Sequence, residues 1–571
     1  MPRSGLLAFA VAQPERAAVL GAIVVGVLVR AWFVLSSDFP LNDGALFLVM
    51  ARTVEAAHFR LPATVLYNGT VIPFGYSPLG FYLLAALHRV FGLDMTQGLR
   101  VLPLLATSGC LVAFAAFARD VLPRVAAGVT RPGRAAAGAV LAFALLPRSY
   151  VWLLMGGGLT RSLGFLFAIL ATHQAFLLYT RGRWSHAGLM GLFAGLTALS
   201  HLGTAPFAAF SMALMFAAFA RTRVAVLGSV AAFAIAVLLA APWVGSVVGH
   251  HGWAPFAAAR ATGGNVLTDS DTRWGIRMHF AVFGIDTVGE PLFPIISMLG
   301  FLGVLASLRA RQWVLPAWVG LILLIDARAP GTYEAVPVSL LAGIGISAVL
   351  LPLLFPTLRN DGPLRAEPHA GGAGFGGLSP RRVGWAPWLI LGALVAYAGG
   401  MAVTRSESVG GEAKLLRGLP RDERAAMAWV ARNSPADARF LVVTGPGHTG
   451  VWGDRVSEWF PVLAQRVSLA TMQGREWIND GRFKAHEAAY DRLQGCVSGT
   501  GACLDKWAER TGTPYTDVFI TKEPQFKVTD SLKAALRRDT GFVVLYDGAG
   551  ALVAARRGAA GRPVSGQGSG G

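Results

Sequence analysis

Residues 17–36 read AAVLGAIVVGVLVRAWFVLS. A run of about 20 mainly apolar residues is what a helix needs to cross the hydrocarbon core of a bilayer. No small-residue cleavage site follows it, so it reads as a retained first span rather than a signal peptide. Similar runs recur at 99–118, 135–153, 162–180, 187–202, 203–220, 224–242, 292–309, 312–327, 336–356 and 385–404. The repetition predicts an α-helical polytopic membrane protein of about 11–13 transmembrane helices. Residues 79–92 are apolar but short, about 21 Å as a helix against a core of roughly 30 Å, and read as interfacial or partly inserted.

Composition agrees. The chain has 571 residues, of which 54% are hydrophobic and 14% charged; soluble domains carry about 25% charged residues. The formal charge of +18 would suit a nucleic-acid partner, but so apolar a chain excludes that class. All six lysines fall at or after Lys414, and the other 44 cations are arginines. Arginines beside span ends set orientation. Arg3 and Arg16, the group 119–134, the pairs 181/183, 221/223 and 309/311, and then 359, 381 and 382 all fall on one side of the expected spans. Placing them in the cytoplasm puts the N-terminus (1–16) inside and residues 37–98, 154–161, 243–291, 328–335 and everything from 405 outside. The expected organisation is a membrane body at 17–404, with a first external loop at 37–98 and a Gly/Arg-rich cytoplasmic loop at 357–384. An extracytoplasmic domain follows at 405–557, then a Gly/Ser tail at 558–571. Localisation would be the cell (plasma) membrane, among membrane lipids.

The C-terminal domain reads as α/β. Strand-like runs at 440–444, 466–470, 517–520, 542–546 and 551–555 alternate with helical patterns near 421–433, 482–494, 503–511 and 529–538, which argues a largely parallel sheet. Cys496 and Cys503 lie in one exported loop and form either a disulfide or two free thiols. Cys110 reads as packing. The segment Gly445-Pro446-Gly447-His448-Thr449-Gly450 fits no nucleotide-binding pattern. Glu458 and Trp459, and the later Glu476 and Trp477, sit in loop-prone sequence. They read either as a sugar-stacking surface or as an interface against the membrane body.

The first external loop carries the chemistry. Residues 37–82 read SDFPLNDGALFLVMARTVEAAHFRLPATVLYNGTVIPFGYSPLGFY. Asp43 comes just past the first span, an amphipathic stretch follows at 44–58, and Tyr76-Ser77-Pro78-Leu79 makes a turn. A carboxylate at a membrane boundary is costly and rarely idle, although Asn42 or Asp43 could equally cap a helix starting at Ala45. This order resembles the GT-C class of membrane glycosyltransferases, the polyprenyl-phosphate-sugar-dependent enzymes that include dolichyl-phosphate-mannose and aminoarabinose transferases. The resemblance covers roughly residues 15–405 and rests on short motifs. It implies a GT-C-like fold and an inverting transfer from a polyprenyl-phosphate-linked sugar donor to a glycan, lipid or protein acceptor, on the extracytoplasmic face, with Asp43 as general base. Two departures stand out. Asp43 is followed by Gly44 rather than a second acidic residue, and the usual Tyr-Pro-Pro-Leu is Tyr-Ser-Pro-Leu. The first weakens any metal assignment, leaving a divalent cation, Mg or Mn, as an open cofactor with no ligand set.

A lipid-phosphate leaving group needs cations, and arginine binds phosphate bidentately at every relevant pH. Arg161 follows Met155-Gly156-Gly157-Gly158, where glycines permit close backbone approach. Arg328 and Tyr333 loosely match a late external loop of the GT-C class. Arg273 and Arg277 are further candidates, as are, for the substrate, His58, Tyr76 and His201. Each arginine could instead snorkel or form an ion pair, and each histidine could simply be hydrogen-bonded. No HxxxH or HExxH pattern suggests a zinc hydrolase. Three other readings compete. An oligosaccharyltransferase-like enzyme would share the architecture, but its Trp-Trp-Asp motif is absent. A transporter should show matched broken spans in two halves. A non-catalytic scaffold would not need Asp43.

Overall fold

The computed structural model describes residues 13–126, 129, 131–262, 289–290, 292–325, 330–356, 385–405, 412–445, 453–478, 480–522 and 528–558. The 357–384 loop, the tail beyond 558, the 446–450 stretch, Arg273, Arg277 and Arg328 lie outside them.

The body is helical. The first helix, α1 (Pro14–Leu35), opens with proline at a position whose amide has no helical partner. The connection carries α2 (Ala45–Ala56), β1 (Thr64–Tyr67), β2 (Thr70–Pro73) and α3 (Leu79–Phe91). Then come α4 (Met95–Val125), α5 (Pro132–Leu145), α6 (Val151–Leu154), α7 (Gly158–Arg181), α8 (Trp184–Ser200), α9 (Thr204–Phe219), α10 (Arg223–His251) and α11 (Ala254–Ala261). The body closes with α12 (Ile295–Arg309), α13 (Val314–Ile325), α14 (Pro330–Gly345) and α15 (Ala386–Val403). Six of the described helical segments are long and apolar enough to cross a membrane, or seven if α5 and α6 make one broken span. Every apolar run read from the sequence coincides with a helix or a bent helical pair.

Three details differ from the sequence reading. The run at 135–153 is not one straight helix: it bends by 82° between α5 and the segment from Pro147 to Leu154. Pro147 has no amide to continue the ladder, so the last carbonyls of α5 need other donors. Ser149 Oγ donates to Phe143 O at 2.6 Å and Arg30 Nη1 donates to Ala144 O at 3.1 Å. Arg30 is fully buried in α1, also donates to Ser149 Oγ at 3.0 Å, and lies 5.0 Å from the Tyr150 ring centroid. An arginine inside a span thus serves a broken helix. Second, the loop after α1 contains an antiparallel ribbon, Thr64 pairing with Pro73 and Tyr67 with Thr70. Its Asn68-Gly69 turn has both φ positive (52° and 70°), the conformation that matches strand twist and favours Asn-Gly. Third, the helix expected at 336–356 starts earlier, at Pro330, and passes through a π-helical segment, Ile346–Leu350.

Helix directions place the site. Phe165 meets Phe207 and Phe176 meets Phe219 (ring centroids 6.0 and 5.2 Å), so α9 runs parallel to α7. Phe167 meets Phe193 at 6.2 Å, while Tyr179 reaches back to Met190, so α8 runs antiparallel to both. The start of α7, the end of α8 and the start of α9 therefore lie at one level.

The C-terminal region is α/β: α16 (Arg421–Asn433), β3 (Arg439–Val443), α17 (Arg455–Leu463), β4 (Val467–Ser468), α18 (Phe483–Gln494), α19 (Gly501–Thr511), β5 (Asp517–Thr521), α20 (Asp530–Arg538), β6 (Phe542–Asp547) and β7 (Ala551–Arg556). The sheet order is β4-β3-β5-β7-β6. It is mixed rather than largely parallel. Strands β4, β3 and β5 pair in parallel, whereas β7 runs antiparallel to both β5 and β6. The short link from Asp547 to Ala551 allows only a hairpin; a parallel pair needs a crossover of a dozen or more residues. Cys496 and Cys503 form a disulfide.

This region is interlocked with the first loop. Leu41 bridges Gly418, and Asn68 exchanges side-chain hydrogen bonds of 2.7 and 2.8 Å with the Ser468 backbone at the sheet edge. Phe39, Leu46, Tyr67 and Phe81 share one apolar core with Trp459, Phe460 and Phe519.

Candidate active site

Asp43 sits in a tight turn. Asn42 (φ 56°) and Gly44 (φ 125°) on either side of it are both left-handed, and only glycine reaches the second value without strain. Two elements far away in sequence hold the turn. From the body, Gly156 N donates to Leu41 O at 2.8 Å and Gly157 N to Asp43 Oδ1 at 2.7 Å. Arg161, in the first turn of α7, donates through Nη2 to Asp43 Oδ2 at 2.7 Å. Each of the two side chains is 18% exposed, so a ligand can still reach the pair. The Arg161 guanidinium also lies 4.9 Å from the Trp152 ring centroid, a cation–π contact that fixes its plane.

The glycines before Arg161 make room for the Asp43 turn. A Cβ at Gly156 would lie 2.0 Å from Asp43 O, and one at Gly157 would lie 2.6 Å from Asp43 Oδ2.

From the C-terminal region, Glu458 on α17 accepts hydrogen bonds from Gly44 N (2.9 Å) and Ala45 N (3.1 Å) through Oε1. These are orphan amides at the start of α2, so the cap comes from another part of the chain. Trp459 Nε1 donates to Asn42 O at 3.1 Å, and its ring packs on Phe39 at 4.6 Å. Both side chains are buried. The sugar-stacking surface considered for them is therefore replaced by an interface, and the segment is helical rather than loop. Burial, and then the nearby Asp43 carboxylate, push the Glu458 carboxyl up to about 8.

The Tyr76 turn lies beside the same wall. Phe47 contacts Tyr76 (ring centroids 5.2 Å) and bounds the space at Gly157. The Tyr76 hydroxyl donates to Glu476, its ring meets Trp477 at 4.6 Å, and Ser77 Oγ donates to Ala198 O at 2.8 Å near the end of α8. Burial and the Glu476 carboxylate keep this phenol protonated far above its usual range. At Gly164, one turn along α7 from Arg161, a Cβ would lie 2.8 Å from His201 Cβ; His201 Nδ1 lies 2.8 Å from Thr204 Oγ1, which lies 3.2 Å from the Tyr333 hydroxyl. Tyr333 stacks on Phe207 at 4.7 Å. The fold thus gathers Asp43, Arg161, Tyr76, His201, Tyr333, Glu458 and Trp459 around one end of the bundle. His58 is not among them: it is exposed beyond the far end of α2, about 18 Å along the helix.

Sequence reasoning missed the Gly157 amide, Trp152, Thr204 and the capping role of Glu458. Of these, Gly157, inside the glycine run, and Trp152, four residues before that run, carried a local signal. Among the described residues the donor set around Asp43 does not fit a divalent cation. The Asp43 oxygens face a guanidinium and an amide, Glu458 faces backbone amides, and the described residues hold no group of three His, Cys, Asp or Glu side chains able to ligate one.

Neither a family model nor a curated protein matches the chain. Solved structures do. The oligosaccharyltransferase AglB from Archaeoglobus fulgidus, solved with an inhibitory peptide and a dolichol-phosphate, superposes with a TM-score of 0.54 at 14% identity, over 94% of this chain and 73% of that one. ArnT from Cupriavidus metallidurans in the apo state gives 0.53 at 14% identity over 94% and 97%. The arabinofuranosyltransferase AftD from Mycobacteria gives 0.51 at 14% identity over 95% of this chain but 40% of its own length. These are GT-C enzymes, and at such identity the likeness establishes the fold: this chain has the GT-C architecture.

Proposed function

We propose that the chain is a membrane glycosyltransferase that moves a sugar from a polyprenyl-phosphate carrier to an acceptor hydroxyl on the extracytoplasmic face, with inversion. The observation that carries this reading is the Asp43–Arg161 pair, a carboxylate and a guanidinium 2.7 Å apart, partly open, at the end of an apolar bundle. In the proposed step the acceptor oxygen attacks the anomeric carbon from the face opposite the phosphate. The bond from that carbon to the phosphate oxygen breaks, its electron pair leaves with the phosphate, and Asp43 takes the hydroxyl proton. Arg161 receives the charge that develops on the phosphate. Its planar fork can serve the phosphate while one N–H stays on Asp43, so the base keeps its orientation as the donor binds. The GT-C fold supports the donor class, since AglB was solved with a dolichol-phosphate. The Cys496–Cys503 disulfide supports an exported C-terminal region.

The test is Asp43→Asn in purified protein supplied with polyprenyl-phosphate sugars. Asparagine keeps an acceptor for the Gly157 amide, so folding and donor binding are retained. Transfer should fall by about 10²–10⁴-fold, the usual worth of general-base help. Unchanged turnover would remove Asp43 from the chemistry.

A further inference from the structure

A cavity of about 660 Å³ opens where three helix ends meet the start of the C-terminal region. Its wall includes Arg100 from α4, Arg405 just beyond α15, and Arg417 and Arg421 ahead of or opening α16. Among its lining residues the one carboxylate is Asp38. That carboxylate is already engaged: Arg421 Nε and Arg424 Nη2 donate to its Oδ2 at 2.6 and 2.7 Å. Arg405 Nη2 donates to Ser36 Oγ at 2.7 Å and Arg100 Nη2 to Val34 O at 2.9 Å. These bonds close the carbonyl end of α1. They use only part of each guanidinium, which carries five N–H groups. Among the described residues neither Arg100 nor Arg405 has a carboxylate partner. Burial and the neighbouring Arg417 guanidinium depress the Arg405 pKa, as crowding of like charge requires.

The cavity also meets exposed apolar surface. Leu35 on its rim is 75% exposed, and Trp32 and Leu28 follow down the same helix at 59% and 62%. An exposed tryptophan just inside a helix end is what the headgroup level of a bilayer selects.

We propose that this cavity binds the phosphate headgroup of an anionic membrane phospholipid, whose acyl chains run down α1 over Trp32 and Leu28. The site shares no lining residue with the Asp43–Arg161 pair and does not depend on the reaction proposed there. It is nevertheless tied to it mechanically. Arg417 O accepts the Asn42 amide at 2.8 Å and Gly418 bridges Leu41, so a headgroup held by Arg417 and Arg421 braces the segment leading into Asp43.

The test is native mass spectrometry of the full chain in detergent, titrated with phosphatidylglycerol or phosphatidylcholine. Phosphatidylglycerol should be retained preferentially, and its affinity should fall roughly 30-fold in Arg405→Gln/Arg421→Gln, at the usual contribution of a cation near anionic lipid. Arg421→Gln alone lies at an 81% exposed side chain, leaves the fold intact and should cost about 5-fold. Equal retention of the two lipids, or unchanged affinity in Arg421→Gln, overturns the proposal. Inorganic phosphate that displaces phosphatidylglycerol at equal concentration would overturn the lipid assignment in favour of a soluble phosphate.

Discussion

Glu458 and Gly44, more than 400 residues apart, are joined by a 2.9 Å hydrogen bond from the Gly44 amide to the Glu458 carboxyl. The residue before Gly44 is Asp43. The C-terminal region therefore grips the backbone on which the proposed base is mounted, while Gly157 and Arg161 grip its side chain from the body.

Glu458→Ala should leave two buried amides without an acceptor, costing about 1–3 kcal/mol for each. Turnover should fall more than substrate affinity, because the base loses its position rather than a substrate contact. Glu458→Gln keeps the acceptor oxygen and should restore most of the activity. Comparing kcat and KM for the two variants checks this.

The same residue sets a pH dependence of stability. Its carboxyl is raised to about 8 in the folded chain by burial and by Asp43, against about 4.3 when exposed. The folded state then holds a proton that the unfolded state gives up. Stability is full below the exposed value and is lost as pH rises through the folded one. The melting temperature should fall between pH 5 and 8 in the parent chain and show a flatter profile in Glu458→Gln; identical profiles would contradict the assignment.

Gly156→Ala should be among the most damaging small changes. Its Cβ would lie 2.0 Å from Asp43 O, and that atom is backbone that cannot swing away. Close approach of this kind costs about 1–3 kcal/mol of stability. A shift of about 1 Å at the base costs on the order of 100-fold in rate. Gly188, on α8 with open space around it, is the control and should tolerate alanine.

The helical body was legible in the sequence because crossing a bilayer demands about 20 apolar residues in a row, a local property. Asp43 and Arg161 were legible for a similar reason, one polar group at a boundary and one cation beside a glycine run. The strands of the C-terminal region could be read from apolar runs, but not all their directions, since β7 pairs antiparallel with both neighbours. The Asn68-Gly69 hairpin carried a local signal that went unread. Arg30 also stood in plain view inside the first span, but its purpose depends on Ala144 and Ser149, more than 100 residues away. Glu458 could not be placed at all from its neighbours. Whether a Glu-Trp pair faces a sugar or a backbone is decided by which distant turn docks on it.

The proposed orientation makes a separate prediction. With Cys496 and Cys503 replaced by serine, stability of the C-terminal region should fall by about 2 kcal/mol, the loop-closure entropy of so short a ring. The remaining Cys110 is buried, so single cysteines can be introduced on that background. A cysteine at Gly182, between α7 and α8, should react only from the cytoplasmic side, and one at Gly499 only from outside. The reverse pattern would turn the site inward and defeat the proposed use of an external donor.

In the proposed reaction a lipid phosphate meets Arg161 while Asp43 faces the reacting carbon. Density for a bound polyprenyl phosphate tests it most directly. A phosphate is expected within ion-pair distance of the Arg161 guanidinium, on the open side of the Asp43 carboxylate. A phosphate seated elsewhere in the bundle, with the Asp43–Arg161 pair closed and untouched, would contradict it.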